Sequence, residues 1–231
     1  MLPLDPLHEL AIAASSWFLI HPLVAGSALR GKLVARLGER GFQVFFALLS
    51  LASISWLCAA YSRAPCAPLW QTPAFAYWLP VAILPFAFVL AAGAYTVPNP
   101  TSAGQEAALG RSEPRGVLRI TRHPFLIGVA LWSGLHFAIN GNVASAWFFG
   151  SFFLTATRGA LDIDRKRAAH DPEAFARYRA QTSVFPFAAI LGGRNRLVLR
   201  ELWLPLGLGA LLTALVLTFH ETWFYVSPIP R

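Results

Sequence analysis

Six apolar stretches, separated by basic or glycine- and proline-bearing connectors, dominate the chain. They run about 9–29 (ELAIAASSWFLIHPLVAGSAL), 42–61, 74–97, 123–141, 143–160 and 201–220. Each approaches the ~20 apolar residues that carry a helix through a hydrocarbon layer about 30 Å thick. Between Pro124 and Thr157 the apolar run is about 34 residues, too long for a single span. Asn140-Gly141-Asn142 interrupts it. Asn-Gly favours a turn, and Asn142 can cap the helix that follows. The pattern predicts an all-α, polytopic membrane helix bundle of about six transmembrane helices, forming one integral-membrane domain over 1–231.

Composition agrees with that picture. The chain is 56% apolar and 13% charged, with a mean hydropathy of +0.52; soluble domains average about 45–50% and 25%. Two cysteines, Cys58 and Cys66, exclude a disulfide framework and a cysteine-rich metal centre. The net charge of +8 would suit nucleic acid until the basic residues are located. Arg30, Lys32, Arg36 and Arg40 fall between spans one and two; Arg111, Arg115, Arg119 and Arg122 fall between three and four. Nine more lie between Arg158 and Arg200, so 17 of the 19 Lys and Arg occupy one set of alternate connectors. Lys and Arg accumulate on the cytoplasmic side, so both termini are expected outside, in a bacterial inner (cytoplasmic) membrane. No cleavable leader is expected, because a basic n-region and a small-residue cleavage site are lacking. The partner this charge implies is the lipid bilayer, and no nucleic acid.

Inside a membrane, the polar side chain is the informative one, because burying it is costly. His21 stands mid-span in F-L-I-H-P, before Pro22, which disrupts the backbone ladder and leaves a carbonyl in need of a partner. His136 stands inside span four in L-W-S-G-L-H-F. Each is explained either as a neutral imidazole hydrogen-bonded to a neighbouring helix or as a metal ligand. Two together favour haem b, which needs only one or two axial donors, whereas zinc needs more than the spans supply. His123 is a rival iron ligand at the inner start of span four, and Arg122 beside it is an interface anchor or a clamp for an anion or haem propionate. In the longest connector, Asp171-Pro172-Glu173 opens a short helix whose Phe175 and Tyr178 face one way. That helix is expected to lie on the inner leaflet.

R-I-T-R-H-P at 119–124, A-L-W-S-G-L-H at 130–136, Gly141-Asn142 and T-S-V-F-P-F-A-A-I-L-G-G-R at 182–194 closely resemble the NnrU family, which includes zeta-carotene isomerases. A fainter match covers 18–22 and 37–50, so that the NnrU-like region spans about 14–196 and the helix at 201–220 lies beyond it. The resemblance implies a b-type haem held by two histidines, mapping onto His136 and His21, and a cis-to-trans change in a carotenoid. The isomerases have a cysteine where this chain has Ser133. NnrU itself resembles an accessory factor of nitrite and nitric oxide respiration. The expected function is therefore a haem-dependent redox or isomerase-like role, with an apolar polyene or respiratory reductase components as partners. R-H-P-F-L-I-G is also similar to isoprenylcysteine and phospholipid methyltransferases, which bind S-adenosylmethionine. Their Glu-Glu pair is replaced here by Asp162-Ile163-Asp164.

Overall fold

The computed structural model describes residues 5–229. Eight α-helices account for most of them: α1 (Pro6–Ile20), α2 (Ala28–Arg63), α3 (Trp78–Gly93), α4 (Pro124–Asn140), α5 (Val143–His170), α6 (Pro172–Gln181), α7 (Ala188–Leu191) and α8 (Trp203–Phe224). Among the described residues there is no strand, only an isolated bridge between Pro68 and Asn142. The six expected spans all fall on helices. Pro6–Ala25, Ala28–Arg63, Ala74–Gly93 and Trp203–Phe224 are long and apolar enough to cross a membrane, and Pro124–Asn140 is a shorter apolar helix. The sixth, α5, is apolar to Ala160 and charged beyond it. The protein is a helical membrane bundle.

The chain divides into two compact units. One comprises 5–72 and 133–159, the other 73–132 and 160–229, so α4 and α5 each contribute to both.

In the first unit, Asp5 caps α1 by accepting from the Leu7 and His8 amides at 2.9 and 3.3 Å, with Pro6 at the first helical position. Pro22 ends the regular helix. The His21 amide bonds to the Phe18 carbonyl, and the chain continues as a π-helical turn, His21–Ala25, closed by the Gly26 amide on the His21 carbonyl at 2.8 Å. Such turns arise where a proline removes a donor from the ladder. The 36-residue α2 is broken at Gly38 (φ 72, ψ 167), which separates a basic first part from the apolar span. The Asn140–Asn142 turn forms as expected. Asn142 accepts from the Ser145 amide at 2.9 Å, and Gly141 has φ +60. The terminal carbonyls of α4 find donors in Trp70 (Nε1 to Ala138, 2.9 Å) and Thr72 (Oγ1 to Ile139, 2.7 Å). Helix ends need such partners wherever water is scarce.

The second unit is built on α3 and α8. Gly209 approaches Val89 so closely that a Cβ would collide with its side chain. Val89, Leu90, Val117, Ile120 and Leu202 form the core beside them. Arg119 ties the start of α8 to this core through Glu201 (2.8 Å) and Asn195 (2.8 Å). Asp171 caps α6 at the Ala174 amide, 2.9 Å, as the sequence predicts. The apolar face of α6 is a correction, however. Ala174, Phe175 and Tyr178 are buried against Leu109 of the same unit and do not face a lipid surface. An amphipathic pattern specifies an apolar neighbour without saying whether it is lipid or protein.

Candidate functional site

His21 owes its setting to Pro22. With the His21 amide displaced onto Phe18, the Trp17 carbonyl has lost its helical donor, and the His21 imidazole takes its place: Nδ1 lies 2.8 Å from that oxygen. A carbonyl only accepts, so Nδ1 carries the hydrogen and Nε2 keeps its lone pair. Trp17 and Phe46 flank the ring edge-on at centroid distances of 4.8 and 5.5 Å. His136, on α4, stacks on Phe149 at 4.8 Å. Aromatic neighbours link these surroundings: Trp17 meets Phe152 at 5.2 Å, Phe152 meets Phe148 at 5.2 Å, and Phe148 meets Phe149 at 5.0 Å. Ser133, one turn before His136, is fully buried.

The same unit contains an apolar cavity of about 640 Å³ between α1, α4 and α5. Phe18, Phe137 and Phe153 form part of its wall, and Ala14, Gly134 and Gly150 leave the space open. The wall residues include the near sequence neighbours of both histidines, but neither imidazole. No carboxylate or ammonium group lines it.

Arg122 and His123 belong to the other unit. The two long sequence motifs meet there. The Arg122 amide bonds to Ser183 (2.8 Å), Thr121 Oγ1 to the Val184 carbonyl (2.7 Å), and the Phe187 amide to the Ile120 carbonyl (2.8 Å). This fixes 120–123 immediately before α4. Asp164, projecting from α5, accepts from Arg122 Nε at 3.0 Å and Nη2 at 2.5 Å, and from His123 Nε2 at 2.8 Å. The Arg122 guanidinium is thus committed to a carboxylate of its own chain. Burial would raise the Asp164 carboxyl, but the hydrogen bonds and charges of His123 and Arg122 outweigh it and bring it to about 2. Burial dominates at His123 and holds it below 6.5 despite Asp164. His123 is therefore neutral at pH 7 with its proton on Nε2. Its Nδ1 is left a bare acceptor, buried and unpartnered. Tyr178, in the field of Arg122 and Asp164, is also buried, and its hydroxyl is likewise unpartnered.

The structure thus joins Arg122 to His123, and it brings His21 and His136 into one unit. It adds Asp164, which sequence reasoning treated only as half of a broken acidic pair. The signal was present: residues two apart on a helix point to different faces, so Asp162 and Asp164 could not act together as one acidic pair.

A model of the NnrU protein family matches residues 9–228 and therefore takes in the final helix as well as the motif region. Relatives include the 15-cis-zeta-carotene isomerase, chloroplastic, of Arabidopsis thaliana, 30% identical over 170 residues, covering 69% of this chain and 44% of that protein. The protein of the same name from Zea mays is 37% identical over 82 residues, covering 36% of this chain and 22% of the relative. The chain thus spans less than half the length of either relative. No solved structure matches it. With nearly its whole length matched, this chain belongs to the NnrU family.

Proposed function

We propose that this protein is a membrane-embedded isomerase-like enzyme acting on an apolar polyene of the carotenoid class, with haem b as cofactor. The observation that carries the reading is His21. Its Nδ1–H is held by the Trp17 carbonyl, the arrangement that orients a metal-binding imidazole and leaves Nε2 as the donor. His136 lies in the same unit, and the two imidazoles would supply the one or two axial donors that a haem needs. A b-type haem held there would supply a redox-active iron able to polarise a double bond of a polyene, or to lend it one electron and recover it.

The chain's own contribution is a dry, shaped environment. A polyene has no polar group to recognise, and the cavity of about 640 Å³ offers it apolar walls with small residues between aromatic ones. Pockets for such ligands run about 300–1,000 Å³. Phe148, Phe149 and Phe152 pack around the histidine surroundings and keep them apolar. No side chain of the cavity wall exchanges protons near pH 7, which suits double-bond isomerisation, since it needs no net proton transfer. The family relationship and the isomerase names of the two plant relatives favour this substrate class. The orientation expected from the charge distribution puts the basic connectors in the cytoplasm.

Absorption spectroscopy tests the cofactor. Protein purified in mild detergent from haem-replete cells should show a Soret band, and His21→Ala and His136→Ala should each diminish or shift it. A colourless protein, or a band indifferent to both substitutions, refutes the haem assignment.

A further inference from the structure

Beside His123 lies a second cavity of about 230 Å³, lined by Tyr95, Asn99, Thr101, Ser102, His123, Phe125 and neighbouring apolar residues, all in the second unit. His123 is 1% exposed, and its Nδ1 has no hydrogen-bond partner. A buried acceptor left unsatisfied gives up its hydration without replacement, which favours a donor beside it. Asn99 and Thr101 spend their side chains within the same loop. Asn99 Nδ2 donates to the Ala94 carbonyl at 3.3 Å, and Asn99 Oδ1 accepts from the Thr101 amide at 3.0 Å. Thr101 Oγ1 lies 2.6 Å from the Arg122 carbonyl.

We propose that this cavity is a ligand site for a neutral molecule that donates a hydroxyl hydrogen to His123 Nδ1 and seats an apolar body about one ring in size against Phe125 and Tyr95. Charge selects neutrality from both sides. An anion would meet a lone pair backed by the Asp164 carboxylate, 2.8 Å from the far nitrogen. A cation would meet the charges of Arg122 and Arg167 that act on His123. A metal ion would find too few donors, since the described residues hold no group of three or more His, Cys, Asp or Glu around one point. Size excludes larger cofactors. A cavity of about 150 Å³ in another protein takes benzene, whereas nucleoside- or porphyrin-sized ligands need about 300 Å³ or more. The two rings at the mouth, 5.9 Å apart and edge to face, are partly exposed at 63% (Tyr95) and 41% (Phe125). They offer an aromatic or allylic alcohol the surface its body requires.

The probe is benzyl alcohol, with benzyl methyl ether, which lacks the donor, and benzoate, which carries the charge. They are titrated into the full-length, histidine-¹⁵N-labelled protein in micelles while the His123 Nδ1 resonance is followed. Benzyl alcohol should shift it saturably, at least tenfold more tightly than the ether, with no effect from benzoate. Leu126→Trp, which fills the cavity and leaves His123 and Asp164 in place, should abolish the shift. Ser102→Leu is a second filling variant should the first fail to fold. Equal responses to alcohol and ether, no response to the alcohol, or saturation that survives cavity filling would each overturn the proposal.

Discussion

Asp164→Asn perturbs the most heavily connected polar group of the second unit. The carboxylate accepts from Arg122 and His123, and its side chain and that of Arg122 are only 16% and 9% exposed. Asparagine preserves the shape and one acceptor but leaves the guanidinium charge buried without a counter-ion. Breaking a buried pair from one side costs about 3–5 kcal/mol. The fall of the carboxyl from 3.8 to about 2 supplies a second measure, roughly 2 kcal/mol after allowance for its partial exposure. A loss of about 2–3 kcal/mol is therefore expected. The same shift fixes the pH dependence. A carboxyl depressed in the folded state stabilises above its unfolded value and loses that contribution as pH falls through the folded one. Wild-type stability should therefore decline between pH 4 and 2, while Asp164→Asn should be flatter there. His123, held below 6.5 by burial, acts in the same direction at milder acidity: its contribution is complete above pH 6.5 and is lost as pH falls toward its folded value. Denaturant unfolding in mild detergent at stepped pH reads both effects. Glu39→Gln, which breaks the exposed Arg30–Glu39 pair, is the control and should cost under about 1 kcal/mol. The reasoning fails if Asp164→Asn stays within about 0.5 kcal/mol of the wild type, or if its acid slope is undiminished.

Pro22→Ala restores a helical donor, so the Trp17 carbonyl recovers a backbone partner and His21 loses the bond that fixes its tautomer; haem should dissociate several-fold faster on dilution with helical circular dichroism unchanged. Gly141→Ala forces an alanine to φ +60 and places its Cβ 2.5 Å from the Trp70 carbonyl, which should destabilise by about 1–3 kcal/mol, read as a lower unfolding midpoint. Gly150→Leu fills the apolar cavity from α5, so carotenoid co-purification should fall sharply while the absorption of bound haem persists.

Much of the framework was legible because it follows from local chemistry. The apolar runs give the helices, Asn-Gly gives the α4–α5 turn, and Asp171-Pro172 starts α6. The vacated carbonyl before Pro22 was also foreseeable, since proline lacks a hydrogen. That the His21 ring itself serves a carbonyl follows from its amide shifting to Phe18 and leaving Trp17 vacant, a step that the sequence alone does not specify. Long-range features were hidden for definite reasons. Asp164 meets Arg122 across 42 positions. The face of α6 looks the same in sequence whether lipid or Leu109 covers it. The orphaned Nδ1 of His123 required knowing that its other nitrogen was taken.

The most direct measurement is conversion of 15-cis-zeta-carotene by the purified full-length protein, supplied with haem b under reducing conditions and followed by chromatography of the isomers. The account predicts accumulation of the 15-trans isomer, abolished by His21→Ala and blocked by Gly150→Leu. An unchanged substrate profile with a haem-loaded, folded protein would contradict it, as would conversion that proceeds equally well without His21.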